Sequence, residues 1–322
     1  MVTIDLKIAS GNKIYTPIVE NNVEVHLEKR GAPGTLTFVC LNDGSAVFDL
    51  GSAVTLRING VNMFYGFIFT KTSDKSNHVS VTAYNQLRYL KNKFTYVFED
   101  KRADEILKMI ADDYGLQTGV LANTEYMLPS YVCEGKTLFD IIETALDYTF
   151  DETGTEWVLY DDFGKMTLGN PGTMNYGLLI NSETAEDFGY ETTIEDMYND
   201  IFLAKIDKNK NVVETVQKTD AENVRKYGLL RYYENVTDET KTLQTRADAL
   251  LEIYNRVTKN LSIADAVGDP RVIPGSLVYC SLQLEDSVLI LNKALKVNTV
   301  THKFTNESHK MDLILEGGEF TA

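Results

Sequence analysis

Hydrophobic and polar residues alternate with a period of two along residues 23–84. The segments VEVHLE, TLTFVCL, AVTLRI, MFYGFIF and HVSVTAY either alternate or stay apolar over the length of a strand. The segments between them, GAPG, NDGS, NG and KTSDKSN, have the composition of turns. This pattern predicts a compact all-β unit of five or more strands, either a sandwich or a small barrel.

Beyond this region the hydrophobic period changes to about 3.6 residues, which indicates helices. The first predicted helix begins near Asp100, an N-cap residue, and ends at Gly115. The second begins at Thr137, where T-L-F-D has the capping-box pattern. The sequence WVLY-DDFG-KMTLG then predicts a hairpin, so residues 100–170 are expected to form a mixed α/β module.

The longest helical signal follows two further predicted strands, which are joined by a turn at residues 207–211. This helix is expected to begin behind a cap near Asp238. Its apolar face consists of Leu243, Ala247, Leu250, Leu251, Tyr254 and Val257. The opposite face is charged, which predicts a helix that packs on one side only. The chain after this helix is again rich in strand patterns.

The first and last β regions share an order of features. The sequence GSAV opens a strand at residues 51–54, and GSLV opens one at residues 275–278. In each region a long apolar run follows, and a loop then ends at a histidine, His78 or His309. Agreement in order, turn composition and period predicts an internal repeat. Identity between the two regions is low, so a chance likeness is the alternative.

We therefore expect a β-rich α+β fold in which two similar antiparallel β-barrels flank an α/β insert. The first barrel is predicted at residues 1–98. The insert is predicted to combine residues 99–170 with residues 237–262. The second barrel and the C-terminal strands are predicted to combine residues 171–236 with residues 263–322.

The charge balance argues against a nucleic-acid-binding protein. The chain has 31 Lys and Arg residues against 47 Asp and Glu residues, a formal net charge of −16 at pH 7. Binding to phosphates needs clustered basic residues, and the sequence contains no such cluster. No apolar run reaches the roughly 18–20 residues of a membrane helix, and residues 1–13 lack the pattern of a secretory signal. We expect neither specific nucleic-acid binding nor membrane insertion.

Sequence motifs for metal ions, nucleotides and nucleophilic catalysis are missing. Cys40, Cys133 and Cys280 lie far apart without C-x-x-C spacing, which predicts reduced, buried thiols. His302 and His309 could meet across a hairpin, but two ligands do not complete a zinc site. The sequence therefore predicts no cofactor and no metal.

Two acidic segments are the remaining candidates for chemistry. Residues 207–211 begin like a calcium-binding loop but lack the glycine at its sixth position, so they are interpreted as a hairpin turn. Asp151, Glu152 and Glu156 lie beside Trp157, the single tryptophan. Paired carboxyls beside an aromatic side chain are typical of glycosidases. A cell-wall glycosidase or a carbohydrate-binding protein is thus the alternative function, although a solvated turn also explains this composition.

One segment carries a resemblance to a known family. In VTAYNQLRYLKN, at residues 81–92, a strand runs into a tyrosine, an amide or acidic residue, and then Leu-Arg-Tyr-Leu-Lys-Asn. This pattern resembles the XkdQ/YqbQ family, the baseplate hub proteins of PBSX-type phage-like particles and related contractile tails. Asn85 stands where Asp is more typical of the family. Further similar segments lie at residues 64–69, 227–230, 260–263 and 302–311.

The resemblance covers essentially the whole chain and implies a structural, non-enzymatic role. More distantly, the chain is similar to the late control protein D of temperate phages and to the trimeric hub of T-even phages. These likenesses imply tube-protein-like barrels, a homotrimer that closes into a pseudo-hexameric ring, and a place in the baseplate of a virion or phage-tail-like particle assembled in the bacterial cytoplasm. The implied partners are the tail tube protein, the spike protein and other baseplate proteins.

A duplicated barrel suggests how such a hub would work. Three chains with two similar barrels each would present six similar contacts to a sixfold tube and three unique inserts to a threefold spike. At −16 per copy, charges that line the bore would repel DNA. This adaptor mechanism requires two separate β regions that superimpose. If the two regions do not superimpose, or if they belong to one shared sheet, the mechanism fails and only the family likeness remains.

The segment that carries the resemblance also predicts a domain joint formed by Tyr84, Arg88 and Tyr89. We expect Asn85 to cap a helical turn, and Leu87 and Leu90 to pack under the first barrel. Arg88 and Tyr89 would then lie off that face and hold the α/β insert against the barrel. The alternative is an Arg88 side chain that is simply solvated.

Overall fold

Strands dominate the structure. A computed structural model describes residues 1–20, 22–41, 48–206, 212–236, 243–283 and 290–316. Within these residues the chain has 21 strands and four α-helices, which confirms a β-rich α+β fold. The same residues contain no helix that is long and apolar enough to cross a membrane.

The N-terminal unit consists of seven strands. They are β1 (Ile4–Ser10), β2 (Lys13–Tyr15), β3 (Val23–Glu28), β4 (Thr35–Leu41), β5 (Ala53–Ile58), β6 (Val61–Ser73) and β7 (His78–Tyr84). They pair antiparallel in the spatial order β2-β1-β5-β6-β7-β4-β3. Alternate residues point into a core, as Leu36, Phe38 and Cys40 do from β4. The strands predicted from the period of two are confirmed.

The first insert follows directly. It contains a 3₁₀ helix (Gln86–Lys91), β8 (Lys93–Arg102), α1 (Ala103–Asp113), β9 (Thr118–Leu121), β10 (Met127–Thr137), α2 (Leu138–Thr153), β11 (Val158–Asp161) and β12 (Met166–Gly169). The predicted capping box of α2 is confirmed, because the Thr137 hydroxyl accepts the Asp140 N–H at 3.1 Å. The predicted 157–169 hairpin is β11–β12. The first helix begins later than predicted, since Asp100 lies in β8.

The rest of the chain forms a C-terminal unit and a second insert. After a short 3₁₀ helix (Pro171–Thr173) come β13 (Asn175–Asn181), β14 (Asp187–Thr193), β15 (Asp200–Ile206), β16 (Val212–Thr219), α3 (Ala221–Tyr227), β17 (Arg231–Val236), α4 (Leu243–Tyr254), β18 (Thr258–Val267), β19 (Leu277–Gln283), β20 (Ile290–Phe304) and β21 (His309–Glu316). The C-terminal unit comprises β13, β14 and β18–β21. The second insert comprises β15–β17, α3 and α4.

The two units repeat one strand order. The N-terminal unit has β1-β5-β6-β7-β4-β3, and the C-terminal unit has β13-β19-β20-β21-β18-β14. Corresponding strands occur in the same chain order, which confirms the predicted repeat at the level of topology. One pair differs in direction, because β1 is antiparallel to β5 whereas β13 is parallel to β19. The sequence matched His78 with His309. When β6–β7 and β20–β21 are compared by their pairing registers, His78 corresponds to Lys310, so the predicted match is wrong by one residue.

The predicted glycine-serine openings are equivalent in three dimensions. The Gly51 N–H donates to the Ile68 carbonyl at 2.7 Å, and the Gly275 N–H donates to the Val297 carbonyl at 2.8 Å. Both glycines have positive φ, 80° and 89°, which favours glycine at this corner. Directly after Ile68 and after Val297 the pairing with the next strand skips one residue, so a β-bulge recurs at the same place in β6 and β20.

The two units are joined edge to edge in one sheet. Strand β3 pairs antiparallel with residues 299–304 of β20, from Glu28 opposite Thr299 to Val23 opposite Phe304. A 13-stranded sheet therefore runs through both units, and no closed barrel is formed by the described residues. The prediction of two separate barrels is thus corrected. Strand β3, at the edge of the first unit, pairs with β20 of the second unit and does not close a barrel within its own unit.

Each unit still has its own hydrophobic core. The N-terminal core includes Ile8, Leu36, Val54 and Ile68, and the C-terminal core includes Ile180, Leu261, Val278, Val297 and Leu313. Phe304 of β20 is 1% exposed and lies in the N-terminal core. Leu27 of β3 is partly buried and packs against both cores. We call the contact between β3 and residues 299–304 of β20 the seam. It is formed by side chains as well as by the backbone ladder.

The second insert departs from the predicted domain grouping. Residues 237–262 were expected to join the first insert, but α4 packs on the β16-β15-β17 sheet and β18 lies in the main sheet. The buried core under α4 consists of Ile201, Leu203, Val236, Leu243, Ala247 and Leu250. The apolar face of α4 covers this small sheet, as the one-sided pattern of that helix requires. The predicted turn at 207–211 and the cap near Asp238 lie outside the described residues.

Candidate functional site at the domain joint

The 3₁₀ helix Gln86–Lys91 is the first element of the first insert and directly follows β7 of the N-terminal unit. Leu87 and Leu90 are three residues apart, so they share one side of a helix with three residues per turn. Both are buried in the core of the first insert, 5% and 0% exposed. On another side, the Arg88 guanidinium lies 5.5 Å from the centre of the Phe69 ring of β6. The helix therefore contacts both domains.

The three predicted joint residues meet at a single side chain, Phe69. Its ring centre is 5.3 Å from that of Tyr84 and 6.4 Å from that of Tyr89, and Arg88 lies over its face. Tyr89 also contacts Phe67 at 6.1 Å. Edge-on aromatic contacts and a cation over a ring each contribute about 0.5–1.5 kcal/mol. The structure brings the predicted residues together, and Phe69 is the partner that the sequence did not reveal.

The two sides of this helix are reversed from the prediction. Leu87 and Leu90 were expected under the first barrel, but they enter the core of the insert. Arg88 and Tyr89 were expected to face the insert, but they pack on β6. Asn85 is the N-cap residue without a side-chain cap bond, because its Oδ1 accepts the Gly34 N–H at 3.1 Å. The two leucines are thus part of the apolar core of the first insert.

Gln86 ties the joint to the insert by hydrogen bonds. Its Nε2 donates to the carbonyls of Gln117, at 2.8 Å, and Gly164, at 2.7 Å. Its Oε1 accepts the Gln117 N–H at 3.1 Å. A buried amide that makes three hydrogen bonds fixes the relative position of the segments that it joins. An isolated glutamine between two strand-like segments gives no sequence signal for this role.

The tip of the β11–β12 hairpin docks on the N-terminal unit. The Phe163 ring lies 5.9 Å from the Tyr65 ring, and the Arg57 guanidinium lies 5.5 Å from the centre of the Phe163 ring. Gly164 has φ of 87°, and a Cβ at this residue would lie 2.5 Å from the Tyr65 ring. The predicted D-D-F-G turn therefore needs its glycine both for its backbone conformation and for this close approach.

Asp161 is the ionisable group at the centre of the joint. Its Oδ1 accepts the Gly164 N–H at 2.6 Å, and its Oδ2 is buried with no hydrogen-bond partner among the described residues. Burial raises the pKa of Asp161 to about 6, because the charged carboxylate loses its hydration. At neutral pH Asp161 is therefore ionised, but its ionisation is less favourable than that of an aspartate in water.

We expect Asp161→Asn to remove a pH dependence of stability. A carboxyl whose folded pKa is raised stabilises the folded state below its unfolded pKa of about 3.8, and that stabilisation disappears as the pH rises through about 6. The variant should therefore gain on the order of 2–3 kcal/mol relative to the wild type between pH 4 and pH 7. Urea unfolding at several pH values measures this difference. Asp162→Asn, at the exposed neighbouring residue, is the control, and an equal effect of both substitutions would contradict the assignment.

Arg88→Ala should weaken the joint without disrupting either core. The substitution removes a cation–aromatic contact at a partly exposed residue, so we expect a loss of about 0.5–1 kcal/mol in the free energy of unfolding. Chemical denaturation of the variant beside Arg225→Ala, in the second insert, isolates the contact from a general change of charge. Unchanged melting and unchanged assembly of the Arg88 variant would refute the predicted role.

The acidic cluster around Trp157 is built into ion pairs. Burial disfavours the Glu156 carboxylate, but Lys296 and Lys29 outweigh burial and lower its pKa. Asp151 lies 3.7 Å from Arg246 of α4. Trp157 packs against the core of the first insert. A glycosidase acid needs a raised pKa and an open cleft, so this arrangement does not favour the alternative function.

His302 and His309 meet, as the sequence suggested. His302 Nδ1 lies 2.9 Å from His309 Nε2, and His302 Nε2 lies 2.9 Å from the Val272 carbonyl. The bond to the carbonyl requires a proton on His302 Nε2. Burial lowers the pKa of both histidines, so in the neutral His302 ring Nδ1 is the acceptor and the His309 N–H is the donor. Among the described residues no three His, Cys, Asp or Glu side chains form a group that could hold a metal ion. Cys40, Cys133 and Cys280 are buried, as predicted, and none of them forms a disulfide within the part of the chain that the structure describes.

Comparison with known proteins establishes the family. The YQBQ-like family matches residues 23–316 of the chain. The chain belongs to this family. The YQBQ-like chain is 34% identical to phage-like element PBSX protein XkdQ of Bacillus subtilis (strain 168), over 268 residues that cover 82% of this chain and 80% of XkdQ. The predicted family is therefore confirmed.

Solved structures share the fold of this YQBQ-like chain. The 43 kDa tail protein of prophage MuSo2 from Shewanella oneidensis matches with a TM-score of 0.70 at 12% identity, over 97% of this chain and 98% of that protein. An E. coli component of the type VI secretion system, itself structurally similar to T4 bacteriophage tail proteins, matches with a TM-score of 0.59 at 12% identity, over 98% of this chain and 77% of its own. The family thus has the fold of phage tail proteins.

Proposed function

We propose that this chain is a structural hub of a phage-tail-like particle, placed where a sixfold tail tube meets a threefold spike. The repeated strand order of the two units carries the proposal. A trimer of chains that each contain two similar units presents six similar contact surfaces to a tube. Its inserts present three contact surfaces to a spike. The relation to a phage-like element protein and the fold of prophage tail proteins support this placement.

The shared sheet changes the adaptor mechanism that the sequence suggested. Two separate barrels were the expected contact surfaces for the tube. That form of the mechanism is wrong, because β3 and β20 join the two units in one sheet. In the revised mechanism the number of contact surfaces depends on the repeated units and not on separate sheets. Two units joined edge to edge retain the same strands in the same order, so a trimer would still offer six of them.

The inserts supply the threefold character in this proposal. The second insert interrupts only the C-terminal unit, between β14 and β18, whereas β3 and β4 of the N-terminal unit are joined by residues 29–34. Each chain would therefore carry one copy of each insert on two similar units. Three chains would then show sixfold likeness in the sheet and strict threefold symmetry in the inserts, as a tube-to-spike adaptor requires.

Electron microscopy and mass measurement test the proposal. At high protein concentration we expect a mass of three chains by native mass spectrometry and a ring with threefold and pseudo-sixfold symmetry in projection. A ring with another number of chains, or a monomer at all concentrations, would contradict the hub. Turnover of peptidoglycan would favour the glycosidase, and saturable binding of glycan without turnover would favour a carbohydrate-binding protein.

A further inference from the structure

The seam between the two units is a template for a contact between chains. In this seam β3 pairs with residues 299–304 of β20, on the side of β20 that faces away from β21. Strand β19 occupies the same side of β20, but only along residues 290–296. The second half of β20 therefore offers a free edge, and β3 of the first unit fills it. The His26 Nδ1 lies 2.8 Å from Thr301 Oγ1 across this ladder.

The repeat places an equivalent edge on β6. The bulge after Ile68 corresponds to the bulge after Val297, so residues 70–73 of β6 correspond to residues 299–302 of β20. Strand β5 pairs with β6 only from Val61 to Phe67, just as β19 pairs with the first half of β20. Along residues 70–73 no described strand pairs with the side of β6 that faces away from β7. This edge has the same geometry as the one that β3 fills.

The repeat also supplies a strand for that edge, β14. Strand β14 is the counterpart of β3 and lies at the end of the sheet, paired with β18 alone among the described strands. Val25 lies opposite Leu36 in the first unit, and Tyr190 lies opposite Leu261 in the second, so Tyr190 corresponds to Val25. Val25 is 0% exposed, whereas Tyr190 is 37% exposed. The residue at this position is therefore fully buried in the unit whose end strand pairs with β20, and more exposed in the unit whose end strand is β14.

We propose that β14 of one chain pairs antiparallel with residues 70–73 of β6 in a second copy of the chain, and so repeats the β3–β20 seam between molecules. The register of the seam places Glu191 opposite Thr72 and Tyr190 opposite Ser73. Unpaired N–H and C=O groups along both edges supply the hydrogen bonds. The contact is head to tail, so each copy offers β14 to one neighbour and β6 to the other. The number of copies in a closed ring rests on the proposed hub.

Within the ring every unit would then use the same two edges. The N-terminal unit reaches the C-terminal unit of its own chain through β3, and the C-terminal unit reaches the next chain through β14. Both links join the end of one unit to the long bulged strand of the next. Neighbouring units in the ring would then be related in the same way whether they belong to one chain or to two, because the same kind of strand pairing joins them.

Cysteine cross-linking tests the register directly. Residues opposite each other in an antiparallel ladder have Cα atoms about 4.5–5.5 Å apart, within the range of a disulfide. A Thr72→Cys chain mixed with a Glu191→Cys chain in a glutathione redox buffer should therefore form mixed disulfide dimers on a non-reducing gel. The double variant should form disulfide-linked trimers. The native thiols, Cys40, Cys133 and Cys280, are buried and do not compete in the folded protein.

The matched control moves one cysteine along the same strand. Asp187 lies four residues before Glu191 on β14, about 13 Å away along a strand. Asp187→Cys mixed with Thr72→Cys should give at least tenfold less mixed disulfide, because the strand pairing fixes the register. Equal yields from the two mixtures would indicate random collision and would overturn the proposal.

The remaining outcomes separate this contact from the proposed hub. Trimers by native mass without the 72–191 disulfide would overturn the strand pairing and leave the hub in place. Open ladders of linked chains would support the pairing and contradict a threefold ring. Monomers without any disulfide at high concentration would overturn both proposals.

Discussion

Phe304→Ala is expected to lower the free energy of unfolding by about 3–5 kcal/mol, because it removes a fully buried aromatic ring. The position of this ring makes the effect diagnostic of the seam. Phe304 belongs to β20 of the C-terminal unit but lies in the N-terminal core, opposite Val23 of β3. The resulting cavity should therefore destabilise both units together. Urea unfolding measures the loss, and Phe94→Ala, at a 52% exposed residue of β8, should cost less than about 1 kcal/mol.

The three native thiols report which core opens. Cys40 lies in the N-terminal core, Cys280 in the C-terminal core and Cys133 in the first insert. In the Phe304 variant a thiol reagent should modify Cys40 and Cys280 at similarly raised rates, on the order of a hundredfold for a loss of about 3 kcal/mol. Modification of Cys280 alone would show that the units open independently, which a shared sheet does not predict.

Stability should also fall steeply in mild acid, because His302 and His309 are held neutral. Burial, together with a smaller effect of the neighbouring His309 charge, lowers the pKa of His302 to about 3. Burial lowers the pKa of His309 to about 4, against the opposing charge of Asp269. A histidine of depressed pKa binds protons more readily in the unfolded state, so its contribution is complete above about pH 6.5 and disappears as the pH falls toward the folded value. We expect a loss of about 2 kcal/mol or more between pH 7 and pH 5.

His302→Gln separates titration from packing. A glutamine can donate to the Val272 carbonyl and accept from His309, yet it does not titrate. The variant should therefore match the wild type at pH 8 and lose about half of the acid sensitivity. Denaturant midpoints of the wild type and the variant between pH 5 and pH 8 measure this acid sensitivity. The comparison of the two proteins cancels the opposite pH dependence that Asp161 contributes to both. An unchanged slope in the variant would assign the acid sensitivity to other groups.

Local patterns along the sequence predicted the elements of the fold well. Alternation of period two located β3 to β7, because one face of each strand must be buried. The Thr137 capping box located the start of α2, since its two hydrogen bonds lie within four residues. The paired openings GSAV and GSLV revealed the repeat, because the same corner needs the same glycine in both units.

The seam could not be predicted in this way. Strand β3 pairs with residues that lie more than 270 positions later, and such a pairing leaves no local periodicity. Val23 and Phe304 have the same apolar character as residues of a closed barrel, so composition cannot distinguish the two arrangements. The grouping of α4 failed for a related reason. Its apolar face indicates that it is covered, but not which sheet covers it.

The domain joint stays a prediction, and the structure shows the contacts of its residues. Aromatic and basic residues after a strand indicated a contact, and Tyr84, Arg88 and Tyr89 do meet at Phe69. Their direction was wrong because both neighbouring domains offer apolar surfaces, and only the packed structure shows which one the leucines complete. Gln86 and Asp161 were missed, since a single amide and one acid in a turn resemble solvated residues in sequence.

The unequal connections within the repeat give the chain a polarity. Residues 29–34 join two strands directly in one half, whereas the corresponding connection in the other half accommodates a whole folded module. The two halves are therefore not interchangeable, because an exchange would move the folded module to the other end of the chain. Equal strand orders thus coexist with halves that have different neighbours.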